Sequence, residues 1–206
     1  MMTKKYIPLI TVFSILAAFM TLTGCEEYGK VDQGRVIAYD KASKTLTMIR
    51  DSSLDTLNPQ YTHLPPVTYK MPVDPNEMGP EPKAGKRMKL DIDKKEVIYY
   101  ASATNDFQTI PYTLIEQKDN VKKEDPLVYD ATAKKGKTFP VIDMEKKTIT
   151  IYSKRQKVLV TFTVADEYFA LPQDTWDSGD EARIYYKEEG QARRFMNVSK
   201  TDIFKK

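Results

Sequence analysis

The sequence predicts an all-β protein. Apolar and polar residues alternate with period two through most of the chain, and short turns rich in Asp and Lys interrupt that alternation. Thirteen tyrosines and twelve prolines against eight glycines suit strands joined by stiff loops better than a helical bundle. Hydrophobic residues at 41% can fill a core, and charged residues at 30% give a well-solvated surface.

In chain order, 35–40 and 45–49 read as two strands joined by a turn at Lys41-Ala42-Ser43, and 67–71 reads as a third. Residues 86–92 and 96–101 alternate again around a turn at Asp93-Lys94-Lys95. No helical period exceeds two turns, with only weak ones near Glu77 and Asp106. The second half then replays the first. Asp40 through Thr45-Leu46-Thr47-Met48 aligns with Asp143 through Thr148-Ile149-Thr150-Ile151, Val67-Thr68-Tyr69 with Val160-Thr161-Phe162, and Gly85 with Gly179. Self-similarity at this spacing predicts an internal duplication.

Five short strands with an interruption between the third and fourth resemble small barrels of the OB type, where a helix or loop plugs one end. The expected architecture is two tandem five-stranded OB-like barrels, over 34–117 and 138–206. A charged linker over 118–137 joins them, broken by Leu127-Val128-Tyr129, which could form a short edge strand.

The N-terminus adds a second kind of information. Lys4-Lys5 precede an apolar stretch from Tyr6 to Thr21, long enough for a signal segment and short of the roughly 18 residues that span a bilayer. Leu22-Thr23-Gly24 then lead to Cys25, the sole cysteine. This segment resembles the lipobox of bacterial lipoproteins. The resemblance implies a signal peptide over 1–24, a diacylglyceryl and acyl anchor (palmitate-type chains) on Cys25, and a tether over 25–33. It also implies a place in the cell envelope, periplasmic or surface-facing. Glu26, where Asp commonly marks inner-membrane retention, leans toward the outer membrane if the source is Gram-negative. The processed chain would hold 182 residues, and its formal charge would fall from +3 to +1 because the leader carries two lysines and no acids. A nearly neutral chain lacks the basic footprint of a nucleic-acid binder.

Chemistry is sparse. A Ser/His/Asp or Cys/His engine is not available, because His63 is the one histidine and Cys25 is consumed by lipid. His63, with Tyr61 nearby, falls in a Pro-flanked segment that reads as a solvated loop. Asp174, Asp177 and Asp180 recur every third residue, whereas an EF-hand calcium loop wants oxygens at every second position; a looser calcium site with loop carbonyls stays an alternative to acids that order a turn, and no metal and no cofactor are expected. Trp176, the sole tryptophan, stands near Tyr168 and Phe169; such a cluster fills a barrel end more often than it contacts a partner. The candidate binding residues are therefore Trp176, Tyr168, Phe169, His63 and Tyr61, with lipidation at Cys25.

The expected function is non-enzymatic: a membrane-anchored protein-binding or scaffolding component of an envelope assembly. A glycan or small-molecule module using the barrel mouths comes second, and a carboxylate hydrolase a distant third.

Overall fold

The computed structural model describes residues 28–201 apart from 54, 56 and 57. It is all-β, with three short 3-10 turns as its only helical elements among those residues. Strands β1 (Lys30–Asp40), β2 (Thr45–Asp51) and β3 (Tyr61–Lys70) form an antiparallel meander. Nine strands follow: β4 (Arg87–Asp91), β5 (Glu96–Ala101), β6 (Asp106–Pro111), β7 (Thr113–Lys118), β8 (Tyr129–Asp130), β9 (Lys135–Gly136), β10 (Val141–Asp143), β11 (Thr148–Ser153) and β12 (Val158–Thr163). The last pair is β13 (Glu181–Glu188) and β14 (Gln191–Asn197).

One barrel closes in the order β1-β13-β14-β3-β2. Its meander of three, its antiparallel final hairpin, and the parallel contact of β14 with β3 at Gln191 and Lys70 reproduce the OB-type order. The stretch between the third and fourth barrel strands is an inserted lobe rather than a plug, and the expected fourth and fifth strands, 86–92 and 96–101, belong to that lobe as β4 and β5. The arrangement differs from two tandem barrels. The first and last strands of the described chain build a single barrel, and everything from β4 to β12 lies between its third and fourth strands. The proposed boundaries at 117 and 138 consequently cut through the inserted lobe. Within 118–137, Val121 and Val128 are buried and β8 pairs with β9, so the charged stretch is a folded part of that lobe.

A recurring hairpin accounts for the self-similarity. Six hairpins among the described residues carry four-residue loops between paired positions: Asp40 with Thr45, Asp91 with Glu96, Ala101 with Asp106, Asp130 with Lys135, Asp143 with Thr148, and Ser153 with Val158. In each the last loop residue takes positive φ: Lys44, Lys95, Asn105, Lys134, Lys147 and Lys157. Where Asp leads, its carboxylate accepts backbone N–H bonds from the loop, as Asp40 does from Ala42 and Asp143 from Glu145 and Lys146. One turn chemistry used repeatedly looks like duplication in a one-dimensional comparison.

The barrel core packs Val36, Leu46, Met48, Tyr69, Ala182, Ile184, Tyr186 and Phe195. The lobe stacks the three-stranded sheet β4-β5-β6 against the four-stranded sheet β10-β11-β12-β7, around Val97, Ile110, Ile149, Ile151, Val160, Phe162 and Trp176. A third apolar cluster joins the two: Ile37, Ile49 and Tyr61 on the barrel's outer surface meet Met88 and Tyr100 of the lobe.

The join is made at a bulge in β1. The register slips between Val36 and Ala38, which leaves Ile37 without a partner on β2, while Val36 stays opposite Met48 and turns its N–H and carbonyl to the other side of the strand. Its N–H donates to Asp180 O (2.9 Å), and its carbonyl accepts from Gly85 N–H (3.1 Å). Both connections of the lobe are thereby clipped to one residue. They also cross in contact: a Cβ on Gly85 would lie 2.3 Å from Gly179 N, and one on Gly179 would lie 2.3 Å from Val36 O. The two glycines that align in sequence are the crossing point of the lobe's two stalks. Arg155, from the β11–β12 hairpin, completes the join by pairing with the buried Glu181 at 2.8 Å, whose other oxygen accepts from Gln33 at 2.6 Å.

Candidate functional site

Polar side chains close one mouth of the barrel. Asp32 and Arg50 occupy inward positions on β1 and β2, four residues beyond Val36 and two beyond Met48, the last ones the core fills on that side. Asp32 Oδ2 accepts hydrogen bonds from the hydroxyls of Tyr69 and Tyr186 (3.4 Å for the latter) and lies 3.6 Å from Arg50 Nη1. Arg50 Nη2 contacts His63 Nε2. An open depression of about 420 Å³, bordered by Asp32, Arg50, Asp51, Ser53 and His63, sits over this chain.

The chemistry follows from the partners. Arginine only donates, so His63 Nε2 is the acceptor and the ring proton of the neutral form is on Nδ1. The lone pair that could act as a base or ligate a metal is thus already used. Burial first, and then the bond to Asp32, push the Tyr69 hydroxyl far above its usual range, so it remains a neutral donor. The mouth is a chain of fixed donors and acceptors without an activated nucleophile.

The other sequence-derived candidates separate into two places, and most are interior. Trp176 is 0% exposed, 6.2 Å from the Phe162 ring centre within the lobe core. Phe169 is buried in the same core and Tyr168 is half-buried against it. These three fill the space between two sheets instead of lining a barrel mouth, which corrects their reading as contact residues. Trp176 also fixes the lobe's return, since its carbonyl accepts from Nε of the buried Arg87 at 2.9 Å. Desolvation lowers the Arg87 guanidinium to about 10, which leaves it charged at neutral pH.

Tyr61 is buried at the junction of lobe and barrel, with the Arg35 guanidinium 4.3 Å above its ring, and burial pushes its hydroxyl up to about 12. His63 is on strand β3, not in a loop. The aspartates spaced by three do not converge. Asp174 pairs with Lys86 (3.1 Å), Asp177 with Lys83, and Asp180 with Lys200 (3.2 Å) and Asn197 (2.8 Å). No group of three His, Cys, Asp or Glu is placed to hold a metal among the described residues. Cys25 lies outside them. Sequence reasoning passed over Asp32 and Arg50, although polar residues in the inward phase of strands (32, 34, 36 and 46, 48, 50) were a readable signal.

Two further surfaces stand out. Between the β3–β14 contact at Lys70 and Gln191 and the isolated bridge of Met78 with Phe195, the segment 71–77 bows away from β14. This leaves a groove of about 1050 Å³ with Met71, Val73 and Tyr185 on its walls. Two ion pairs border it: Arg194 pairs with Glu77 through two nitrogens and Arg193 with Glu188 at 3.3 Å. The second surface is on the inserted lobe. The four-stranded sheet ends in two open edges, β10 and β7. Exposed Val141 and Ile115 lie on those strands, and exposed Met144 lies in the turn after β10.

The strand order and these surfaces define an OB-type barrel carrying an inserted two-sheet lobe. Residues 27–206 match the family described as a domain of unknown function, DUF4881, and the chain belongs to that family. Neither curated proteins nor solved structures give a match to the chain.

Proposed function

We propose that this protein is a non-enzymatic, protein-binding component of a cell-envelope assembly, held on a membrane by lipid on Cys25 and presenting the inserted lobe to its partner. The observation that carries the reading is the pair of open sheet edges on the lobe, where Ile115, Val141 and Met144 stand in solvent. Exposed strand edges with apolar side chains are templates for another chain, and monomeric proteins usually cover or charge them. The lipobox-like Leu22-Thr23-Gly24-Cys25 supports the anchor, and β1 begins only five residues later, which keeps the barrel at the membrane and the lobe as its projecting part.

One observation favours binding over hydrolysis. The carboxyls whose affinity for protons is moved, Asp40, Glu77, Asp91 and Asp143, are all moved down by donors, whereas a general acid needs a carboxyl held protonated. The depression at the barrel mouth supports a glycan or small-molecule site as the second reading. It offers Arg50, Asp51 and His63 but no aromatic face for a sugar ring.

A photo-crosslinking residue placed at Ile115, Val141 or Met144 in intact cells should give a discrete protein adduct, with none from Thr47 on the barrel. Absence of adducts from all three lobe positions refutes the partner surface. Cys25→Ser protein that still floats with membranes and carries no acyl mass refutes the anchor.

A further inference from the structure

We infer that the barrel face around Tyr28, Val31, Tyr185 and Val73 lies against the lipid surface, so the molecule stands on the membrane in one fixed orientation. The inference rests on the anchor at Cys25 proposed above and adds which side of the barrel that anchor draws down.

Covalent reach sets the starting point. Three peptide bonds separate Tyr28 from Cys25, so their Cα atoms are at most about 11 Å apart. Tyr28 is 94% exposed, the highest value among the large apolar side chains of the described residues. A tyrosine held that close to acyl chains sits at headgroup depth, where an apolar ring and a polar hydroxyl are both satisfied.

The face continues away from that point in one direction. The Tyr185 ring lies across Gly29, so close that a Cβ there would be 2.1 Å from its Cε2. The ring therefore packs on the backbone just where it leaves for Cys25. Val31 is directly opposite Tyr185 in the β1–β13 ladder and shares its side of the sheet. Tyr185 in turn walls the groove that holds Val73, which is 78% exposed. The exposed apolar residues of the barrel thus fall beside the tether, and those of the lobe fall elsewhere.

Three ion pairs lie on this face, and Arg183, bonded to Gln33, and Lys187 flank Tyr185 on the same side of β13. Lys30 bonds Glu189 at 3.0 Å, Arg193 bonds Glu188, and Arg194 bonds Glu77. Ion pairing offsets much of the charge on this face, so its protruding apolar groups, and not a polybasic patch, carry the contact and salt weakens it little. The partner it fits is a zwitterionic or mixed bilayer interface.

Hydroxyl-radical footprinting of the full chain tests this, comparing the protein in phosphatidylcholine vesicles with the Cys25→Ser form in solution, alongside intact mass to read acylation. The vesicle-bound protein should show severalfold less oxidation at Tyr28, Val31 and Val73, with Ile115, Val141 and Met144 unchanged, at both low and high salt. Acylated protein in which the barrel and lobe residues react alike overturns the orientation and leaves the anchor standing. Protein without acyl groups that does not float with vesicles overturns both. Protection that persists without vesicles and grows with protein concentration assigns the face to a second copy of the chain and overturns the lipid assignment.

Discussion

Replacing Gly179 by alanine tests whether the lobe is clipped to the barrel at the β1 bulge. Gly179 has φ +59°, a region where an L-residue costs about 1–2 kcal/mol. A second cost is local. The new Cβ would stand 2.3 Å from Val36 O and 2.8 Å from Gly85 N, both backbone atoms that cannot rotate away. Moving Val36 weakens its bonds to Asp180 and Gly85, each worth about 1 kcal/mol net. Together these give about 3–4 kcal/mol.

Gly190→Ala isolates the first cost. Its φ is +73°, but its nearest neighbour, Thr68 O, would be at an ordinary 3.5 Å, so it should lose only about 1 kcal/mol. Urea unfolding followed by circular dichroism reads the difference. With a slope of about 2 kcal/mol per molar, the two midpoints should differ by about 1 M or more. Midpoints for Gly179→Ala and Gly190→Ala that agree within about 0.3 M would refute the crossing geometry.

Three other outcomes follow from the packing. Trp176→Ala should cost about 3–5 kcal/mol by urea unfolding, because it empties the lobe core, and the wild-type tryptophan emission should be blue-shifted and indifferent to added sugars. Tyr61 is pushed up to about 12, so its contribution is complete below the unfolded-state value near 10 and is lost as pH rises toward 12. Stability should therefore fall through that window, and Tyr61→Phe should flatten the fall when urea midpoints are compared from pH 8 to 11.5. Glu181→Gln should lower stability and slow neither export nor acylation. Arg155→Ala should lose more, because it leaves the buried Glu181 carboxylate without its cation, whereas after Glu181→Gln the half-exposed arginine rehydrates; equal losses from the two changes would contradict the buried position of Glu181.

The sequence alone determined the strand content, the turns, and the segment that resembles a lipobox. Alternation and turn chemistry are local: Asp40 and Asp143 organise their loops through hydrogen bonds two and three residues away, and the pattern is visible without any tertiary contact. The barrel's first three strands were legible for the same reason, whereas the expected fourth and fifth, 86–92 and 96–101, belong to the lobe.

Only the tertiary structure decided which strands belong to one barrel. The β1–β13 ladder joins residues some 150 positions apart, and nothing in the composition of either strand announces its partner. The same limit applied to the candidate residues. Trp176 in an acidic, Pro-flanked stretch reads as a core filler more readily than as a surface contact, and the structure buries it between the lobe's two sheets instead of at a barrel end. Asp32 and Arg50 gained their roles from meeting Tyr69, Tyr186 and His63 at the barrel mouth. Local hydrogen bonding and periodicity are written along the chain, whereas closure and burial depend on contacts between segments that only the folded chain brings together.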